Sequence, residues 1–123
     1  MGSCPRQRSM VVSSAYVPER GDLVWINFNP QRGREQANKR PAVVLSPESY
    51  NEKSSLALMC PVTTRVKGYP FEISLNTGEI AGVILSDQVR SLDWRVRRAA
   101  FIQRVSPETL AELQDRIVQL VTE

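Results

Sequence analysis

Asp22-Leu23-Val24-Trp25-Ile26-Asn27-Phe28-Asn29 alternates strictly, with Val24, Ile26 and Phe28 on one side and Leu23, Trp25 and Asn27 on the other. A period of two predicts a β-strand, here one with a fully apolar face. Asn29-Pro30 ends it, because proline has no N–H for a ladder and restricts the residue before it. Pro41-Ala42-Val43-Val44-Leu45-Ser46 is a short continuous apolar run and predicts a second, buried strand.

Between the two strands lies the loop Gly33-Arg34-Glu35-Gln36-Ala37-Asn38-Lys39-Arg40-Pro41. Arg32, Arg34, Lys39 and Arg40 oppose only Glu35, a local net charge of +3. A guanidinium binds phosphate as a fork and a carboxylate can take a proton, so the group suits chemistry on a phosphodiester. On charge alone the commoner reading is a solvated loop between strands.

Outward from this centre, Gly21-Asp22 is a turn signal, and Tyr16-Val17-Pro18 leads into it. Residues 1–14 have no periodicity and read as a disordered tail, partly a non-native remnant, leaving 15–123 as one domain. Ser46-Pro47-Glu48 has the grammar of a helix start, with a capping hydroxyl, proline at the first position and an early acid. Strands are predicted over Leu56–Val62, Tyr69–Leu75, Gly82–Ser86 and Arg98–Val105. Pro61 favours an edge, a strand end or a bulge, and Asp87–Arg97 reads as a charged connector. Ser106-Pro107-Glu108 is the strongest helix start in the chain, followed by the apolar stripe Leu110, Leu113, Ile117, Leu120 and Val121. About six short strands with turn signals between them, closed by one helix, predict a mainly β (α+β) fold: a small, strongly bent sheet or barrel with a C-terminal helix.

Composition excludes several classes. With 123 residues the chain supports one core. It has no histidine and only Cys4 and Cys60, which argues against a structural zinc site, a histidine-based acid/base and a disulfide framework. A reduced cytoplasmic setting is expected, with no metal and no cofactor. No apolar run approaches the ~18 residues of a membrane span. The formal charge of +3 is modest, but its distribution is uneven. Residues 90–98 carry Arg90, Arg95, Arg97 and Arg98 against Asp93, while 106–123 is net acidic. A polyanion would be drawn to the basic loops.

Several stretches together resemble the MazF/PemK toxin family of bacterial toxin–antitoxin pairs. They are Gly21–Pro30, Glu35-Gln36-Ala37, Arg40–Pro47, Tyr50-Asn51, Pro61 with Thr63-Thr64, Lys67–Glu72, Asp87-Gln88-Val89, and Ser91 with Trp94-Arg95. The resemblance implies an SH3-like barrel of bent antiparallel strands, shared with the CcdB-like toxins, and a homodimer. It implies a sequence-specific, metal-independent endoribonuclease cutting single-stranded RNA, chiefly mRNA, to 2′,3′-cyclic phosphate and 5′-hydroxyl ends. It also implies a MazE-like antitoxin whose acidic, flexible C-terminal segment occupies the RNA groove. By motif match the catalytic positions fall on Glu35, Arg40 and Thr63, and Lys39 stands where the best-known members carry histidine. Arg34, Gln36, Lys39, Thr64, Lys67, Gln88, Arg90 and Arg95 are the candidate RNA-binding residues.

On this reading Glu35 takes the ribose 2′ proton, Arg40 stabilises the phosphorane charge and Thr63 fixes the phosphate. A guanidinium is a poor proton donor, so water or Lys39 supplies the proton that the departing 5′-oxygen takes up. Alternatives stay open for several residues. Trp25 and Trp94 stack bases or fill core. Lys67-Gly68 is an RNA-gripping loop or a hairpin turn. Asp87 with Gln88 reads a base edge or ties down a turn. Arg90, Arg95, Arg97 and Arg98 flank a phosphate track or rim a dimer. Two other functions compete: a CcdB-like, non-enzymatic gyrase poison, and an RNA- or partner-binding module without catalysis.

Overall fold

The computed structural model describes residues 16–28 and 39–122. Among these, seven strands and two helices follow in the order β1 (Asp22–Asn27), β2 (Lys39–Val44), α1 (Glu48–Ser54), β3 (Leu56–Thr63), β4 (Glu72–Asn76), β5 (Ala81–Leu85), β6 (Arg90–Asp93), β7 (Ala100–Arg104) and α2 (Pro107–Thr122). All pairings are antiparallel, and the strand order is β4-β5-β3-β2-β1-β7, with β6 also on β3. The result is a curled half-barrel with a C-terminal helix, the mainly β architecture expected.

β3 makes the curl. One edge pairs with β2 through Met59–Pro61. The other is divided: Leu56–Met59 pair with β6 and Val62–Thr63 with β5. Pro61, which has no N–H to donate, falls in the gap between those two ladders. The buried proline is therefore inside the strand, where the sheet parts.

The central strands bury both faces. Leu23, Val43, Cys60 and Val62 join one core with Ile73, Ile84 and Leu113, while Val24, Ile26, Ala42, Val44 and Met59 join a second with Leu92 and Trp94. The single apolar face expected for β1 is thus corrected: alternate residues feed two cores. α2 covers the first core with Leu110, Leu113 and Ile117. The last two members of its predicted stripe, Leu120 and Val121, are exposed, because the helix continues beyond the core it covers.

Two further expectations change. β6 lies in what read as a charged connector, because Leu92 alone of its four residues is buried and the strand is specified by its pairing with β3. At α1 the N-cap is Pro47 and no side chain caps it. The Ser46 hydroxyl instead donates to Asn51 Oδ1 (2.5 Å) and accepts the Leu58 N–H (2.9 Å). Asn51, fully buried, donates to Pro18 O and Ser46 O, and its own carbonyl accepts from Trp94 Nε1. Ser106 does cap α2, accepting the Thr109 N–H at 3.1 Å.

Candidate active site

β2 opens with Lys39 and Arg40, and β3 closes with Thr63. The two ends meet because of register. Ala42 pairs with Pro61, and two residues further along each antiparallel strand stand Arg40 and Thr63. Both line a cavity of ≈450 Å³ with Phe28, Pro61, Val62, Leu85, Gln88 and Arg90. Both also line a second cavity, ≈300 Å³, walled by Trp25, Pro41, Thr64, Glu79 and Ala81 among others. Arg40 and Thr63 thus form a ridge between two hollows. The first hollow is the gap in the sheet: the turn that leaves β5 and enters β6 carries Gln88 to its rim.

Local contacts prepare these side chains. Thr63 Oγ1 accepts the Arg65 N–H at 3.1 Å, so the hydroxyl keeps its own proton to donate to a ligand. β5 approaches this backbone so closely that a Cβ at Gly82 would lie 2.3 Å from Thr63 O, so only glycine fits there. The Arg90 guanidinium sits 5.2 Å from the centroid of the Phe28 ring, a cation–π contact that holds it at the cavity wall.

Among the described residues the ion pairs are Arg104–Asp22 and Arg116–Glu112. Lys39, Arg40, Arg65, Lys67 and Arg90 are in no ion pair there, and the first hollow, lined by Arg40 and Arg90 with no carboxylate among its described residues, presents net positive charge. Such a surface attracts and orients a polyanion. No cluster of metal-ligating side chains occurs among the described residues, and no described helix is long and apolar enough to cross a membrane.

The structure brings Arg40, Thr63, Gln88 and Arg90 to one cavity, and Thr64 to its neighbour. Lys67 lines a third hollow that shares Thr63, Leu85 and Gln88 with the first. Arg95 is elsewhere, stacked 4.5 Å over Trp94. Arg97 donates to the carbonyls of Asn27 and Phe28 and so braces the end of β1. Trp94 is core; Trp25 is half-buried on a cavity wall. Glu35, Arg34 and Gln36 lie outside the described residues. From the sequence Phe28 is only the last member of the first strand's apolar face. Its place at the apolar strand's end, before a cationic loop, was the available signal for its contact with Arg90.

Fold and site together define a small half-barrel β protein that offers an unpaired guanidinium and a free hydroxyl to an anionic ligand. Comparison with known proteins narrows the class. Residues 19–121 match the model of the PemK-like, MazF-like toxin of type II toxin–antitoxin systems. The endoribonuclease toxin MazF of Escherichia coli strain K12 is 50% identical over 108 residues, covering 88% of this chain and 97% of that protein. The endoribonuclease toxin ChpB of the same strain is 34% identical over 109 residues, covering 84% and 93%. A crystal structure of MazF from Deinococcus radiodurans superposes with a TM-score of 0.78 at 49% identity, covering 88% of this chain and 99% of that one. A MazE–MazF complex from the same organism gives 0.78 at 44%, covering 87% and 97%. The chain belongs to the PemK-like, MazF-like toxin family of type II toxin–antitoxin systems.

Proposed function

We propose that the chain is the endoribonuclease toxin of a type II pair, cutting single-stranded RNA in the cytoplasm at a short sequence motif. Its partner is a MazE-like antitoxin whose acidic segment competes for the same cationic hollow, and it acts as a homodimer. The observation that carries the reading is the convergence of Arg40 and Thr63 on one cavity wall.

The chemistry that fits is internal transesterification. The ribose 2′-oxygen bonds to phosphorus and the bond from phosphorus to the 5′-oxygen breaks. The 2′ proton goes to Glu35, and a proton from water or Lys39 goes to the departing 5′-oxygen. Arg40 lies against the non-bridging oxygens, where negative charge accumulates, and Thr63 donates its hydroxyl proton to the same phosphate. Holding the 2′-hydroxyl in line contributes strongly, because the attack is intramolecular. No step requires a metal.

Incubating pure protein with a long RNA in EDTA tests this. The expected result is fragments with 2′,3′-cyclic phosphate and 5′-hydroxyl ends, and a loss of about 10²–10⁴-fold in Glu35→Gln. Intact RNA would overturn the reading, and stabilised gyrase–DNA breaks in its place would favour the gyrase poison.

A further inference from the structure

The connector between β3 and β4 leaves directly from Thr63 and carries Arg65 and Lys67. Its ends hold it in shape. Thr63 accepts the Arg65 N–H, and the Glu72 carboxylate accepts the N–H groups of Lys67 and Gly68, the latter at 2.9 Å. Gly68 turns the chain there with φ +82°.

Two consecutive carbonyls at the far end seat this connector on the rest of the protein. Phe71 O accepts the Ser86 N–H at 3.2 Å and the Ser86 hydroxyl at 2.5 Å, from a buried residue just after β5. Pro70 O accepts from Arg116 Nη1, on α2. The helix is a firm base, because Leu113 and Ile117, on either side of Arg116, pack into the first core. Arg116 Nη2 also stands 3.9 Å from the Glu112 carboxylate one turn back, a partly exposed pair that adds little stability by itself. Arg116, Gln119 and Leu120 face Pro70 and Phe71 across a hollow of ≈450 Å³. The hydrogen bond from Arg116 to Pro70 is therefore a tie across a gap, and a charged donor makes it a strong one.

We infer that Arg116 is a positioning residue for RNA cleavage. It lines neither the reaction cavity nor the two hollows beside it. Its action runs through Pro70 O: α2 holds the connector where Lys67 meets a phosphate of the bound strand. This role rests on the endoribonuclease reading and deepens it. A lysine on an exposed turn is a flexible point charge, so its contact with RNA depends on where its backbone is held. A contact to a phosphate remote from the reacting bond binds ground state and transition state alike, so it shows in KM and not in kcat.

The test is RNA cleavage across a salt series by the parental protein, Arg116→Ala, Arg116→Lys, Lys67→Ala and the Arg116→Ala/Lys67→Ala double variant. Each is assayed well below its own denaturation midpoint. Arg116→Ala should raise KM about tenfold with kcat near parental. The slope of log(1/KM) against log salt should become shallower by about 0.7, the share of one phosphate contact on a single strand. Arg116→Lys can still donate to Pro70 O and should recover most of the KM. Lys67→Ala should change the slope equally, and the double variant should lose no more than either single one, because both remove one contact. A merely structural arginine would lower the midpoint of Arg116→Ala and leave KM and slope parental. Additive losses in the double variant would make Arg116 an RNA contact in its own right. Either result overturns the positioning role while the nuclease reading stands. RNA left intact by the parental protein overturns both.

Discussion

Arg40 and Arg104 stand beside opposite ends of the same strand. β1 pairs with β2 on one edge and β7 on the other, and each arginine is a cross-strand neighbour of a β1 residue: Ile26↔Arg40 and Asp22↔Arg104. The consequences differ. Arg104 Nη1 meets Asp22 Oδ1 at 2.8 Å, and its Nη2 donates to Arg20 O. Asp22 also accepts from the Tyr16 hydroxyl (2.7 Å) and the Glu19 N–H (3.0 Å). Burial pushes the Asp22 carboxyl up while the Tyr16, Glu19 and Arg104 contacts pull it down, and burial wins. Arg40 stands opposite Ile26 in the ladder and forms no ion pair among the described residues. A cation whose strand neighbour is an acid becomes part of the scaffold; one whose neighbour is isoleucine is left for a ligand.

The largest test of this contrast is Arg40→Ala. Losing a charge donor aimed at the developing phosphorane should lower kcat/KM for RNA by about 10²–10³-fold. The denaturant midpoint should stay near the parental value, because the arginine has no structural partner to abandon. A large loss of stability in this variant would dissolve the distinction between the two ends of β1.

Arg104→Ala is the mirror image, with a smaller effect. It leaves Asp22 buried with one partner fewer, which should cost about 1–3 kcal/mol of stability, read by urea unfolding. Cleavage at a temperature well below the midpoint should be near parental. If cleavage falls as far as in Arg40→Ala, the paired end is not merely scaffold.

How much of this was legible in the sequence depends on whether the determinant was local. β1, β2 and β3 announced themselves because alternation and apolar runs are properties of a few consecutive residues. β6 did not, since three of Arg90-Ser91-Leu92-Asp93 are polar and the strand exists by pairing with β3. The two Ser-Pro-Glu triplets make the same point. Ser106 caps α2 as its grammar predicts, whereas Ser46 turns its hydroxyl to Asn51 and Leu58, a choice set by groups five and twelve residues away. The site follows suit. Arg40 and Thr63 were found through a family resemblance, not through pattern. Their convergence is a consequence of the β2–β3 register, which no single stretch encodes, and Glu35 lies outside the described residues.

The paired end also predicts an alkaline limit to stability. Tyr16, half-buried and donating to Asp22, holds its proton well above the ordinary 10.0, first because burial disfavours phenolate and then because the Asp22 contact does. Burial likewise pushes the Cys60 thiol from the ordinary 9.0 up to about 12, with Asp87 adding to it. Both folded-state values are raised, so each contribution is complete below the unfolded value and declines as pH rises above it: the unfolded chain releases a proton that the folded chain keeps. Stability should therefore fall above pH 9 through Cys60, by about 1.4 kcal/mol per pH unit at most, and more steeply above pH 10 as Tyr16 joins. Urea midpoints between pH 8 and 10.5 read both limbs. Cys60→Ala should remove the first break and Tyr16→Phe the second, each after its own fixed loss at neutral pH. Arg40→Ala should leave both limbs in place, because its end of β1 has no proton to withhold. A profile in which Arg40→Ala flattens the slope and Tyr16→Phe does not would reverse the assignment of scaffold and site.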